Sequence, residues 1–231
     1  MKIVDLEAPD DDPGLLQRAF DDVLRPSFSI EELPEFGSLM GALGGHGFIS
    51  IAGDDDGVPL AVGLSESDST TQIGLLGYLA TRPDRRSGGV GGALLSHMQE
   101  RWAAEPVTVV LAEVHDPRVW PETDDERAAA RLRFYEKAGA RLLMTPWVQP
   151  SLSVGAARVN GMLLLTLSEK PEGQQAIDPD NLRRWTRGYY TEAEGGVPED
   201  PTYIALEQRM AGDRIEIRPV SAYRELEPLR S

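Results

Sequence analysis

The stretch from Arg82 to Leu95 carries the most specific chemical signal in the chain. It reads Arg82-Pro83-Asp84-Arg85-Arg86-Ser87-Gly88-Gly89-Val90-Gly91-Gly92-Ala93-Leu94-Leu95. Glycine lets a backbone approach a ligand closely and aim several N–H groups at it. A helix N-terminus adds unsatisfied donors and partial positive charge. The order strand, Gly-rich turn, amphipathic helix therefore predicts a cradle for a pyrophosphate. The amides from Ser87 through Gly88, Gly89, Val90 and Gly91 to Gly92 would supply the donors. Arg86 would add a full charge where the glycines begin.

Three kinds of phosphate-binding loop are compatible with such a run. A P-loop ends in Gly-Lys-Ser/Thr, whereas Gly91-Gly92-Ala93 stands here. A dinucleotide fold places its glycines after the first strand of a βαβ unit, whereas here the loop lies deep in the chain, after a run of three antiparallel-looking strands. Binding of ATP or NAD stays open as one reading of the loop. The third kind fits best. Arg86-Ser87-Gly88-Gly89-Val90-Gly91 resembles the Arg/Gln-x-x-Gly-x-Gly/Ala signature of the GNAT acetyltransferase superfamily. Thr81-Arg82-Pro83 before it and Ala93-Leu94-Leu95 after it fit the same pattern. Downstream, Phe134-Tyr135-Glu136-Lys137-Ala138-Gly139 resembles the family's Phe-Tyr-x-x-x-Gly helix end. Ala140 replaces the closing aromatic, and Ala128 to Ala130 occupy the region where many members carry Asn.

The resemblance covers roughly Met1 to Ser168 and implies an N-acetyltransferase. Its cosubstrate would be acetyl-CoA, with no metal. Its acceptor would be a primary amine of a small molecule or peptide, attacking directly in a ternary complex. The backbone of Leu79, Ala80 and Thr81 would meet the pantetheine arm. Acyl transfer to an amine needs a neutral amine and a protonated leaving thiolate. Tyr135 is the expected acid, since a phenol of ordinary pKa about 10 donates at neutral pH. Many members draw their base from a Glu on the fourth strand, but Ile73-Gly74-Leu75-Leu76-Gly77-Tyr78 holds no carboxylate. Glu113 is the expected substitute. It interrupts the apolar run Val109-Val110-Leu111-Ala112-Glu113-Val114, where a charge is costly unless paired or used. Tyr78 and His115 could order water or line the acceptor pocket. Arg25 to Phe28, Glu31-Glu32 and Trp147 to Pro150 are further acceptor-side candidates. The missing fourth-strand Glu and the missing Asn leave a second reading, an acyl-CoA-binding regulatory module without catalysis.

The elements that must position these groups follow from periodicity and punctuation. Strands are predicted at Lys2 to Leu6, Phe48 to Ala52, Pro59 to Leu64, Gln72 to Ala80, Val107 to Val114, Leu142 to Met144 and Met162 to Leu167. Gly53-Asp54-Asp55-Asp56-Gly57 is a hairpin signal. Leu94, Leu95, Met98 and Trp102 mark one face of a helix from about Val90. Thr123-Asp124-Asp125-Glu126 has the form of a capping box that starts a helix ending at Gly139. A second helix is predicted over Glu31 to Leu43. Asn181 to Tyr190 and Tyr203 to Met210 also read as helical. The class is α/β (α+β), with a mixed, mostly antiparallel sheet of about six or seven strands flanked by helices. The resemblance adds a splay between strands four and five. Residues 1–168 are expected to form the transferase domain. Residues 169–231 are expected to be a mainly helical extension packed on it, covering the acceptor site or making a homodimer contact.

Composition narrows the partners. The 231 residues include 41% hydrophobic side chains and no cysteine, so disulfides, thiolate metal sites and a cysteine nucleophile are excluded. His46, His97 and His115 are too scattered to predict a metal cluster. The net charge of −15 disfavours a nucleic-acid partner. No apolar run approaches the roughly 20 residues of a membrane span. Met1-Lys2-Ile3-Val4-Asp5 lacks the basic start and apolar core of a signal peptide. A cytoplasmic protein is expected.

Overall fold

The computed structural model describes residues 1–29, 32–33, 36–43, 47–121, 123, 127–152 and 156–229. The chain divides into two compact units, Met1–Ser69 with Gly74–Val107, and Thr70–Ile73 with Thr108–Ser231.

The first unit holds β1 (Lys2–Leu6), α1 (Pro13–Ala19), a π turn (Phe20–Leu24), α2 (Phe36–Leu43), β2 (Gly47–Gly53), β3 (Pro59–Asp68), most of β4 (Ile73–Thr81) and α3 (Val90–Ala104). Its strands lie in the order β1-β2-β3-β4. β2 runs antiparallel to both β1 and β3. The β2–β3 hairpin turns where the sequence predicts. Asp54 Oδ1 accepts from the Asp56 and Val58 amides, and Gly57 takes φ +77°. On one side Leu16, Phe20, Val23, Leu24, Leu39 and Leu43 pack with Leu6, Ile49, Ile51, Val62 and Leu64. α3 buries Leu94, Leu95, Met98 and Trp102, each worth about 2 kcal/mol. Gly63 makes that packing close, because a Cβ there would stand 2.3 Å from Met98 Sδ. The Trp102 indole donates to Ser65 Oγ at 2.9 Å, so its polar edge is satisfied in the core.

The far half of α3 is tied to β1. Asp5 accepts from Ser50 Oγ at 2.5 Å and lies 3.0 Å from His97 Nε2 and 3.2 Å from Arg101. Burial pulls the Asp5 carboxyl up, but these hydrogen bonds and charges outweigh it and hold it below the usual range. Arg101 also pairs with Glu7 and Glu105 and lies 3.9 Å over the Phe48 ring.

The second unit holds β5 (Val109–His115), α4 (Ala128–Lys137), β6 (Arg141–Leu143), β7 (Trp147–Gln149), β8 (Val159–Glu169), β9 (Ala176–Ile177), α5 (Pro179–Glu194), α6 (Pro201–Arg209) and β10 (Ile215–Pro219). Its strands lie in the order β5-β8-β6-β10-β9, with β7 beside β8. All of these pairs are antiparallel. Asp178 caps α5 through the Asp180 amide, and Asp200 caps α6 through the Thr202 and Tyr203 amides. Arg158, just ahead of β8, binds Glu194 and Asp200 at 2.7 Å each.

Ten strands are present among the described residues, more than the six or seven expected. The additions are β7, β9 and β10, of three, two and five residues. Pieces that short carry little periodicity of their own and take strand form by pairing. α4 begins at Ala128 behind Arg127, not at the predicted capping box. Thr123 lies outside the helix, and residues 124–126 lie outside the described residues. The helix does end at Gly139, with φ +86°. Of the predicted second helix, Phe36–Leu43 is helical, while Glu31 and Pro34 lie outside the described residues, as does His46. No helix among the described residues is long and apolar enough to cross a membrane.

Candidate functional site

β4 delivers the chain to the glycine loop. Ala80 is buried, while Leu79 and Thr81 are half-buried at the strand end. A short turn, Pro83–Arg85, follows. Arg82 is occupied, since it binds Asp84 at 2.6 Å and the Pro59 carbonyl. Arg86 is exposed and has no acidic partner among the described residues. Its Nε reaches the Thr81 carbonyl at 3.4 Å. Ser87 sits at φ +66° and Gly89 at φ +80°, a region that favours glycine and strains serine.

Gly89 is the N-cap of α3 and offers no side chain to the first-turn amides. No acidic residue occupies that first turn. In contrast, α1, α5 and α6 each begin on a capping aspartate. A Cβ built at Gly89 or Gly92 would meet no atom within 4 Å. Internal packing therefore does not require glycine at Gly92. The space beside it is open, the first-turn donors have no side-chain cap, and the nearby Arg86 has no acidic partner among the described residues. A pyrophosphate fits this arrangement.

In the second unit, Glu113 projects from β5, opposite Leu164 of β8. Glu113 is half-buried, and its carboxylate accepts three hydrogen bonds. Trp147 Nε1 donates to Oε1 at 2.5 Å, Gln149 Nε2 to Oε2 at 2.7 Å and the Tyr189 hydroxyl to Oε2 at 3.0 Å. Burial pushes the carboxyl above its ordinary range, and the three donors oppose that rise. Trp185 stacks on Trp147 at 5.7 Å and on Tyr189 at 5.3 Å. These contacts fix the Tyr189 ring.

Tyr135 is buried on α4 and meets the adjacent Phe134 ring edge to face at 5.2 Å. Its hydroxyl has no hydrogen-bond partner among the described residues. Burial pushes its pKa up to about 12, so it stays protonated well beyond neutral pH.

The structure resembles that of a Bacteroides thetaiotaomicron protein assigned to the GNAT acetyltransferase family. The two align at TM-score 0.60 and 21% identity, over 82% of this chain and 99% of the other. The chain has the GNAT fold. An aminoglycoside 6′-N-acetyltransferase complexed with coenzyme A aligns at TM-score 0.52 and 16% identity, over 72% of this chain and 97% of that one. No family model and no curated protein matches the sequence.

Within this GNAT fold the residues expected from the sequence fall into two sets. Leu79, Ala80, Thr81 and the run from Arg86 to Gly92 all lie in the first unit, where Arg86 Nε reaches the Thr81 carbonyl. Glu113 and Tyr135 belong to the second unit. Trp147 and Gln149, flagged as acceptor-side candidates, both bind Glu113. Tyr78 donates to the Glu32 carbonyl at 2.8 Å and packs edge-on against Phe28. His115 is buried and stacks on Trp120 at 4.2 Å, and neighbouring Asp116 binds Arg118. No cluster of three or more metal-ligating side chains occurs among the described residues. Sequence reasoning missed Tyr189 and Trp185. Their only signal was an aromatic spacing of four on a helix that otherwise reads as polar.

Proposed function

We propose that the chain is a cytoplasmic N-acetyltransferase that moves an acetyl or short acyl group from acyl-CoA to a primary amine of a small molecule or peptide. Attack is direct, in a ternary complex. The observation that carries this reading is the N-terminus of α3, with its uncapped amides, open space at Gly89 and Gly92, and an Arg86 without an acidic partner among the described residues. The likeness to a coenzyme A-complexed acetyltransferase of the same fold supports it.

The acyl-CoA supplies an activated thioester when bound. Arg86 and the amides from Ser87 to Gly92 hold its pyrophosphate, and the backbone of Leu79 to Thr81 carries the pantetheine arm. Glu113 takes the proton that makes the acceptor nitrogen nucleophilic. Tyr135 donates a proton to the departing sulfur, and its raised pKa keeps that proton available. Residues 1–168 form the transferase domain, and residues 169–231 belong to it. The bond from Tyr189 to Glu113 and the pairing of β10 with β6 support that assignment.

A free-thiol release assay with acetyl-CoA against an amine library tests the proposal, alongside thermal shifts with CoA, ATP and NAD. Thiol release with at least one amine, and stabilisation by CoA alone, are the expected results. Stabilisation by CoA with no turnover across the library would instead make the chain an acyl-CoA-binding module. Stabilisation by ATP or NAD without CoA would remove both readings.

A further inference from the structure

The turn that follows β5 is tied to the far end of the chain. Asp116 stands at the head of this turn with its side chain only 3% exposed. Its amide donates to the Gly161 carbonyl, and its own carbonyl accepts from the Val119 and Trp120 amides. Its carboxylate accepts from the Arg118 amide at 2.8 Å, and its Oδ2 accepts from the Arg118 guanidinium at 3.0 and 2.6 Å. A carboxylate this buried is costly without a cation, so Arg118 is held in place. The remaining arm of the same guanidinium reaches the C-terminal segment. Nη1 donates to the Leu226 carbonyl at 2.9 Å and to the Arg224 carbonyl at 3.3 Å. The guanidinium also lies 5.5 Å from the centre of the Tyr223 ring, and Leu226 is itself buried. One planar fork serves the turn and the C-terminal segment at once, which the point charge of a lysine does not.

The clamped turn carries Trp120. The Trp120 indole donates to the Asn160 carbonyl at 3.0 Å and stacks on the His115 ring at 4.2 Å, with 12° between the planes. His115 lies two residues beyond Glu113 on β5, so both side chains face the same side of the sheet, about 7 Å apart along the strand. Met162 of β8 is the register partner of both His115 and Trp147, and Trp147 donates to Glu113. The Trp120–His115 stack therefore stands at one end of the sheet face that presents Glu113. We propose that Arg118 is a positioning residue, through which the C-terminal residues 223–226 set the Trp120–His115 stack as a wall on the acceptor side of the site. This deepens the proposed function and rests on it. It gives the end of the chain a part in recognising the acceptor. The wall is flat and aromatic, so it favours an acceptor amine that carries a ring over a short one.

The experiment is Arg118→Lys in the full chain, which keeps a charge beside Asp116 and loses the fork. Tyr223→Ala is the second variant. It leaves the Asp116–Arg118 pair intact and removes the ring beside it, which covers failure of the first variant to fold. Acrylamide quenching of tryptophan emission reads the wall without any turnover. Trp102, Trp147 and Trp185 are buried, and Trp120→Phe made in each background isolates the Trp120 signal. Quenching of Trp120 should rise several-fold in both variants. The KM for a ring-bearing primary amine should also rise several-fold, the KM for a short primary amine less, and the KM for acetyl-CoA not at all. Trp120 quenching that stays at the wild-type level in folded variants would overturn the proposal. So would a rise in quenching with the amine KM unmoved, or a KM for acetyl-CoA that rises as much as that for the amine. Absence of turnover with every amine overturns the acceptor role together with the proposed function, while the quenching arm still reads the clamp by itself.

Discussion

Gly92→Ala separates a structural glycine from one kept for a ligand. Gly92 lies in the first turn of α3, and a Cβ there would meet nothing within 4 Å. Alanine in a helix is about 0.5–1 kcal/mol more favourable than glycine. A chain of this size gains about 2–4 °C per kcal/mol, so the free variant should melt about 1–4 °C higher. CoA binding should move the other way, because the added methyl fills the space that the cradle leaves open. At a CoA concentration of 100 times Kd, ligand binding stabilises the wild type by about 2.7 kcal/mol. A tenfold weaker variant at the same concentration retains about 1.4 kcal/mol. Differential scanning fluorimetry with and without CoA reads both effects. The expected pattern is a higher melting point without CoA and about half the CoA-induced shift. An unchanged CoA shift in a stabilised variant would show that α3 does not receive the pyrophosphate. Gly89→Ala is the control with the opposite sign. Its φ of +80° disfavours any side chain by about 1–2 kcal/mol, so the free protein should itself melt lower.

Tyr135→Phe should reduce thiol release about 100-fold while leaving CoA stabilisation intact, measured by single-turnover kinetics and thermal shift. The same phenol makes a pH prediction. Its folded pKa of about 12 lies above the ordinary 10, so its contribution is complete below pH 10 and is lost as pH rises toward 12. Urea midpoints across that window should fall less steeply in Tyr135→Phe than in the wild type. Arg158→Ala removes the cation shared by Glu194 and Asp200, which hydrogen bonding and charge hold below the usual carboxylate range. Discounted for exposure, the loss should be about 2 kcal/mol by urea denaturation at pH 7. Those two carboxylates stabilise the fold above their ordinary pKa and lose that contribution as pH falls through their lowered values. The variant should therefore lose less stability than the wild type on acidification.

The features legible in the sequence are those that neighbouring residues decide. The Gly53 to Gly57 hairpin, the apolar face of α3 and the C-terminal stop at Gly139 each depend on a few consecutive side chains. The turn before α3 was legible for the same reason, since Gly89, at φ +80°, serves a local backbone shape. Glu113 stood out as a charge inside an apolar run. What stayed hidden depends on distant pairing. β10 is a five-residue strand defined by β6 and β9, and alone it reads as part of a polar tail. Tyr189 lies 76 residues from Glu113, on a helix rich in arginine and glutamate. Nothing local tells its ring from a surface tyrosine. The predicted capping box falls mostly on residues 124–126, which lie outside the described residues.

The ties on the far half of α3 bear on how its N-terminus meets a ligand. His97 and Arg101 reach Asp5, Trp102 bonds to Ser65 and Met98 sits against Gly63. The helix is thus anchored to β1 and β3 over its last turns. Its first turn projects from a fixed base. A ligand that binds there has no helix to order, so little conformational entropy is lost on association. On the proposed reading, affinity at the loop is thereby coupled to Asp5 of β1. Loosening Asp5 would weaken binding by letting the receiving amides drift, with every contact at the loop itself left in place.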